Sequence, residues 1–246
     1  MSSAQFLMRS PADRAQRVQQ KQDAVLRWLR DETWSTPEVL SQVMGLTARS
    51  GAYRTLAMME RAELVRGASV PIFKGVEQKI IGITAHGLAH AFASDEAYEQ
   101  RPTFEPSKVK LTTLQHELDI QTLRLRARRA GWHAWLPGTR LGAAMPDMKR
   151  PDAVVHSPDG RVVAIEVERT IKTLKRYEVL MAQYFQIIAK GQYARVIWLC
   201  PTPDLANRLR RILQTIQTVP VAGTRLRLEE RHANLWSVLP YEQWPT

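Results

Sequence analysis

Three carboxylates stand where a divalent cation and a phosphodiester could meet: Asp152 in Arg150-Pro151-Asp152, and Glu166 and Glu168 in Val163-Ala164-Ile165-Glu166-Val167-Glu168. Residues Arg161 to Glu168 read as a strand. Alternation places Val163, Ile165 and Val167 on one face and Ala164, Glu166 and Glu168 on the other. Asp152 opens a second apolar run, Ala153-Val154-Val155, and the turn formers Ser157-Pro158-Asp159-Gly160 predict a hairpin that brings Asp152 close to Glu166. Hard cations such as magnesium or manganese (Mg2+ or Mn2+) bind through a few carboxylates, water and substrate phosphate. Asp152, Glu166 and Glu168 are therefore metal-ligand candidates, and phosphodiester cleavage is the chemistry they suit. Paired acids also occur on exposed strands without any site, so the surrounding elements carry the weight.

Pro151-Asp152 with Glu166-Val167-Glu168 resembles the signature of the PD-(D/E)xK nuclease superfamily, with one departure. Glu168 stands where a lysine is usual, and the nearest lysine downstream, Lys172, falls on the helix predicted to follow. The resemblance implies a restriction-endonuclease-like α/β core in which Lys172 steadies phosphate, and it allows an acid from the first helix of that core. The elements predicted from Leu111 onward agree: a long helix, two or three strands, a helix, a strand, a helix and two closing strands.

That long helix, Lys110 to Ala130, carries two apolar stripes, Leu111, Leu114, Leu118 and Leu125 on one side and Ile120, Leu123, Ala127 and Ala130 on another. His116 lies within the second stripe and reads either as a hydrogen-bonded core residue or as a site residue. Glu117 lies on the intervening polar strip with Gln121, Arg124 and Arg128, and is the candidate for the extra acid. The helix predicted from Thr170 to about Lys190 holds Lys172, Lys175, Arg176, Tyr177 and Tyr184. The tyrosines share a face. Either they pack on the sheet while the cations are solvated, or Lys172 and Arg176 meet phosphate and a tyrosine hydroxyl joins the site. Ala194 to Leu199 reads as a buried strand, Asp204 to Ile216 as a helix with Arg208, Arg210 and Arg211 outward, and Leu226-Arg227-Leu228 and Leu235 to Leu239 as closing strands.

A chain of 246 residues allows one or two domains with sizeable cores. Its formal charge of +11 favours a polyanionic partner. The excess is uneven: residues 1–108 carry +2 and residues 109–246 carry +9. The absence of a long apolar segment or a lipid-binding amphipathic stretch favours nucleic acid over a membrane. A single cysteine, Cys200, excludes a disulfide framework and a thiolate zinc site. No signal-peptide pattern is visible, so a cytoplasmic location is expected.

The first part of the chain has its own organisation. Gln20 to Arg30 reads as a helix with Val25, Leu26 and Leu29 inward; Thr36-Pro37 caps a short helix ending at Gly45; a second begins near Ala48 and carries Tyr53, Leu56 and Met59 at helical spacing. Strands are predicted at Leu64-Val65 and Lys79 to Ile83 around a loop of Gly67 to Val76, and Thr84 opens another helix. The order, with the phrases Leu56 to Val65 and Ile83 to Leu88, resembles winged-helix transcription regulators. That resemblance implies that Arg49, Ser50, Tyr53 and Arg54 face DNA bases or phosphates and that Lys74 on the wing reaches the backbone. Winged helices also serve as protein-interaction modules, and Tyr53 can equally be core. The organisation expected is a winged-helix domain at 1–94, a linker at 95–108 containing Pro102 and Pro106, and a nuclease-like domain at 109–246.

The runs His116-Glu117-Leu118-Asp119, Arg150-Pro151-Asp152-Ala153 and Ile165 to Thr170, with a following Tyr184, resemble the replication-relaxation family, which includes MobC-type plasmid mobilisation relaxases. The resemblance covers most of the chain and implies site positions at His116, Asp152, Glu166, Glu168, Thr170 and Tyr184. It also implies nicking of one strand of double-stranded DNA at an origin of transfer or replication in a mobile element, alongside other relaxosome proteins. Three matters stay open: whether water or a tyrosine attacks, whether one strand is cut or both, as by a host-defence or restriction-like endonuclease, and whether the core cleaves at all or serves a DNA-binding regulator or accessory protein. The oligomeric state is not legible in the sequence.

Overall fold

The computed structural model describes residues 10–73, 76–141, 149–221 and 223–245. It is a mixed α/β structure that divides into two units, Met1–Gln121 and Thr122–Thr246.

In the first unit, helix α1 (Pro11–Glu32) starts well before Gln20, because Ser10 and Asp13 form a capping box and Pro11 fills the first turn. Strand β1 (Trp34–Ser35) leads into α2 (Pro37–Val43), whose N-cap Thr36 accepts the Val39 N–H at 3.3 Å. Gly45, at φ +67°, turns the chain toward α3 (Arg49–Arg61). Strands β2 (Val65–Phe73) and β3 (Val76–Ile83) pair antiparallel, and β1 adds to β3, giving the order β1-β3-β2. Most of the predicted loop from Gly67 to Val76 is thus paired strand. Its glycine, alanine, serine and proline weaken the apolar alternation, and the ladder is supplied by β3. Lys74 lies outside the described residues.

Helix α4 (Ala85–Ala89) starts at Thr84, which accepts the Gly87 N–H at 2.9 Å and donates to the Glu63 carbonyl at 2.6 Å. A Cβ on Gly87 would lie 1.9 Å from the Leu64 carbonyl oxygen, so the Thr84-Ala85-His86-Gly87 phrase records a close backbone approach.

The expected linker ends as part of this unit. Phe104 donates its N–H to the Ile83 carbonyl and is buried with Trp34, Val70, Ile80 and Leu114. Helix α5 (Leu111–Arg129) follows. Gln121, expected on a polar strip, is 2% exposed, with its amide donating to the Trp34 carbonyl at 2.9 Å and accepting the Ser35 hydroxyl at 2.6 Å. These contacts satisfy a buried amide, and the boundary between units falls inside α5 rather than in 95–108.

The second unit contains β4 (His133–Pro137), β5 (Ala153–His156), β6 (Val162–Val167), α6 (Leu174–Ala189), β7 (Arg195–Cys200), α7 (Pro203–Thr215), β8 (Thr218–Val221), β9 (Thr224–Arg227) and β10 (Trp236–Pro240). Five strands form one sheet in the order β10-β7-β6-β5-β4, while β8 and β9 form a separate hairpin. The β5–β6 hairpin is antiparallel, as its turn residues predict, and Gly160 adopts φ +81° in that turn. Strands β6, β7 and β10 run parallel. Parallel neighbours need crossovers, which α6 and α7 provide, and strands so covered read as continuous apolar runs. Strand β8 escaped the sequence pattern; Pro220 is tolerated because a two-stranded hairpin leaves one edge unpaired. One core unites α6 and α7 with Ala164, Val196, Trp198 and Val238. Among the described residues, no helix is long and apolar enough to cross a membrane.

Candidate active site

Strand β6 lies at the centre of the five-stranded sheet, and its C-terminal end carries both glutamates. Open α/β sheets bind ligands outside the carboxyl ends of their parallel strands, which makes this edge the chemically interesting one. Ala153 pairs with Ile165, so Asp152 lies beside the Glu166–Val167 end. Its Oδ2 accepts the Val167 N–H at 2.7 Å. Glu168 continues past the strand and donates its N–H to the Leu199 carbonyl at 2.9 Å, staying tied to β7.

Two glutamates two residues apart on a strand point to the same covered face, where Glu166 is 7% and Glu168 3% exposed. An unpaired carboxylate there would be strongly penalised. Helix α6 answers with two fully buried tyrosines: the Tyr184 hydroxyl donates to Glu166 Oε1 and the Tyr177 hydroxyl to Glu168 Oε2, the latter at 3.1 Å. Each carboxylate also meets a lysine. Lys149 Nζ lies 2.5 Å from Glu166 Oε1, and Lys172 Nζ bonds both Glu168 oxygens, 2.6 Å from Oε1. The result is two parallel assemblies, Lys149–Glu166–Tyr184 and Lys172–Glu168–Tyr177.

The electrostatics differ between the two. Burial, reinforced by the nearby Asp152 charge, raises the Glu166 pKa against the opposing pull of Lys149 and Tyr184. Burial, followed by the Glu166 charge, raises the Tyr184 hydroxyl well above the ordinary tyrosine range. Tyr177 is raised chiefly by burial, and burial pushes the Cys200 thiol, beside Glu168, up to about 12. Among the described residues no three His, Cys, Asp or Glu side chains are grouped to hold a metal. The oxygen donors that adjoin are Asp152 and Glu166. A magnesium-like ion binds through one or two carboxylates, water and phosphate, so this donor set suits it, whereas both Glu168 oxygens are engaged by Lys172.

Lys172 is not on a helix. Thr173 caps α6 by accepting the Arg176 N–H at 3.3 Å, so the helix begins at Leu174 and Lys172 lies in the preceding loop, free to curl back onto Glu168. Thr170 and Arg176 are exposed. His116 and Glu117 are half-buried on the part of α5 that belongs to the first unit, where Glu117 accepts the Thr113 hydroxyl at 2.7 Å.

Two positions escaped the sequence reading. Lys149 carries no periodicity signal, and only its closeness to Arg150-Pro151-Asp152 hinted at a role. Gly138 donates its N–H to the Asp152 carbonyl at 2.8 Å, and a Cβ there would lie 2.0 Å from the Pro151 carbonyl oxygen. It lets the end of β4 sit against the backbone that presents Asp152.

In the first unit, Arg49, Ser50, Tyr53 and Arg54 are all exposed on α3. Tyr53 is 41% exposed and so stands outside the core, while the buried stripe is Ala52, Thr55, Leu56 and Met59.

A family model described as replication-relaxation matches residues 26–198. No curated protein matches the chain.

Proposed function

The chain belongs to the replication-relaxation family, and from that premise we propose that it is a DNA-nicking protein of a mobile element, related to MobC-type relaxases. In this reading the first unit is a winged helix that recognises an origin-like site in double-stranded DNA. The second is a PD-(D/E)xK-type core that cleaves one strand, assisted by other relaxosome proteins. The observation that carries the reading is the juxtaposition of Asp152 and Glu166 at the carboxyl end of the central strand, with Lys149 on the same carboxylate.

Asp152 and Glu166 would hold the magnesium or manganese ion. When bound, such an ion supplies charge neutralisation and an acidified water. The Val167 N–H and the Tyr184 hydroxyl fix the two carboxylates before DNA arrives, which lowers the cost of arranging them. Glu168 holds Lys172, keeping its half-exposed ammonium near the opening of α6, where Lys175 and Arg176 are also exposed; these cations would meet the phosphate backbone. Tyr184 is buried, its proton is committed to Glu166, and its hydroxyl is made less acidic, all of which support water rather than tyrosine as the nucleophile.

Helix α3 would present Arg49, Ser50, Tyr53 and Arg54 to the major groove. Supercoiled DNA carrying the protein's genomic neighbourhood, incubated with and without magnesium or manganese, tests the whole reading. Metal-dependent conversion to open circles is expected.

A second reading has its own observation. Glu168 replaces the usual lysine, and both glutamates are already neutralised by lysines, an arrangement that also suits a non-cleaving DNA-binding regulator. Tight site-specific binding without open circles under either metal would favour it.

A further inference from the structure

Lys149 and Lys172 bind their glutamates in different settings. Lys172 is paired on the rim, its side chain 40% exposed, to Glu168, both of whose oxygens it bonds. Lys149 is 19% exposed, lies 2.5 Å from Glu166, has its ammonium 6.0 Å from the Tyr184 ring centre, and serves the carboxylate that adjoins Asp152. It therefore occupies an oxygen of the donor set that would bind a divalent ion.

The charge balance of this cluster governs when an ion can enter. Asp152, Glu166 and Lys149 together carry one net negative charge when ionised. Adding a divalent ion reverses this to one net positive charge in a largely buried place, which is costly unless an anion enters. A phosphodiester contributes one negative charge and restores neutrality. Resting on the cleavage-site reading above, we infer that Lys149 makes divalent-ion binding at Asp152 and Glu166 conditional on DNA phosphate. Ammonium and ion compete for Glu166 in the free protein. A phosphate offers the displaced ammonium a second anion, so the two ligands support each other's binding, and by linkage the support is reciprocal.

The test is manganese binding to the full chain, followed by electron paramagnetic resonance, alone and with a phosphorothioate duplex from its genomic neighbourhood that resists cleavage. The wild type is expected to bind manganese weakly alone and about tenfold or more tightly with the duplex. Lys149→Met is expected to bind about tenfold more tightly alone and to gain little from DNA. Lys149→Arg should behave like the wild type, Lys172→Met should match the wild type in manganese affinity without DNA because its partner Glu168 is not one of the proposed ligands, and Asp152→Asn should lose binding in every state. Equal affinity of Lys149→Met and the wild type without DNA, or equal shifts in Lys149→Met and Lys172→Met, would overturn the inference while leaving the metal site standing. Undiminished binding in Asp152→Asn would also overturn it, since the ion would then sit elsewhere. If the wild type takes up no manganese with or without DNA, the metal-dependent reading falls and this inference with it.

Discussion

The Tyr184 hydroxyl donates to the Glu166 carboxylate where both side chains are buried, tying the middle of α6 to the acidic end of β6. A hydrogen bond to a buried charged group stabilises by about 1.5–3 kcal/mol. Tyr184→Phe should lower stability by about that amount in urea melts, keep substantial nicking, and leave no protein attached to DNA ends in denatured products. A covalent adduct that disappears in Tyr184→Phe would make this tyrosine the nucleophile and exclude the water mechanism. Tyr177→Phe should likewise keep nicking.

Removing a carboxylate separates chemistry from binding. Asp152→Ala and Glu166→Ala are each expected to abolish nicking while retaining the DNA affinity that the wild type shows without metal, because the acids act on the developing charge more than on positioning the DNA. Normal nicking by both variants, measured on supercoiled DNA, would misplace the site.

The raised pKa of Glu166 sets the sign of a pH effect. A folded-state pKa above the unfolded value means that the folded protein holds the proton more tightly. The stability this contributes is fully present below the ordinary glutamate range and is lost as pH rises through the elevated folded pKa. Comparing urea midpoints of the wild type and Glu166→Gln across that window should show the wild type losing ground as pH rises. Parallel curves would remove Glu166 as the titrating group.

Gly138 should be intolerant of a side chain. A Cβ 2.0 Å from the Pro151 carbonyl oxygen meets backbone, which cannot swing away as a side-chain tip can. Gly138→Ala is expected to cost about 1–3 kcal/mol as an overpacking change and to lower nicking by displacing Asp152. Wild-type melting and nicking would show that the β4 end shifts freely.

DNA recognition divides between surfaces. Arg49→Ala and Arg54→Ala on α3 should weaken binding to the cognate site more than to random DNA. Arg208→Ala and Arg211→Ala, both exposed on α7, should lower affinity for any DNA and flatten its salt dependence. Arg210 behaves differently: it donates to the Val238 carbonyl at 2.7 Å, so Arg210→Ala should reduce stability instead. Fluorescence anisotropy at several salt concentrations distinguishes the cases; equal cognate and random losses for the α3 variants would end their sequence-reading role.

Much of this molecule was written in local sequence. Alternation from Val163 to Glu168 placed both glutamates on one face, the Ser157 to Gly160 turn set the hairpin that carries Asp152 alongside, and the seven-residue spacing put Tyr177 and Tyr184 on one side of α6. These features arise from periods and turn chemistry that neighbouring residues fix among themselves. Tertiary structure decided the partners. That Tyr184 takes Glu166 and Tyr177 takes Glu168, that Lys149 reaches back to β6, and that Gln121 turns inward to Ser35 all depend on how separate elements pack. A lysine or glutamine reads as a surface residue until a buried acid or carbonyl happens to lie within its reach. No local pattern records that distance, because it is set by sheet order and helix packing between residues far apart in the chain.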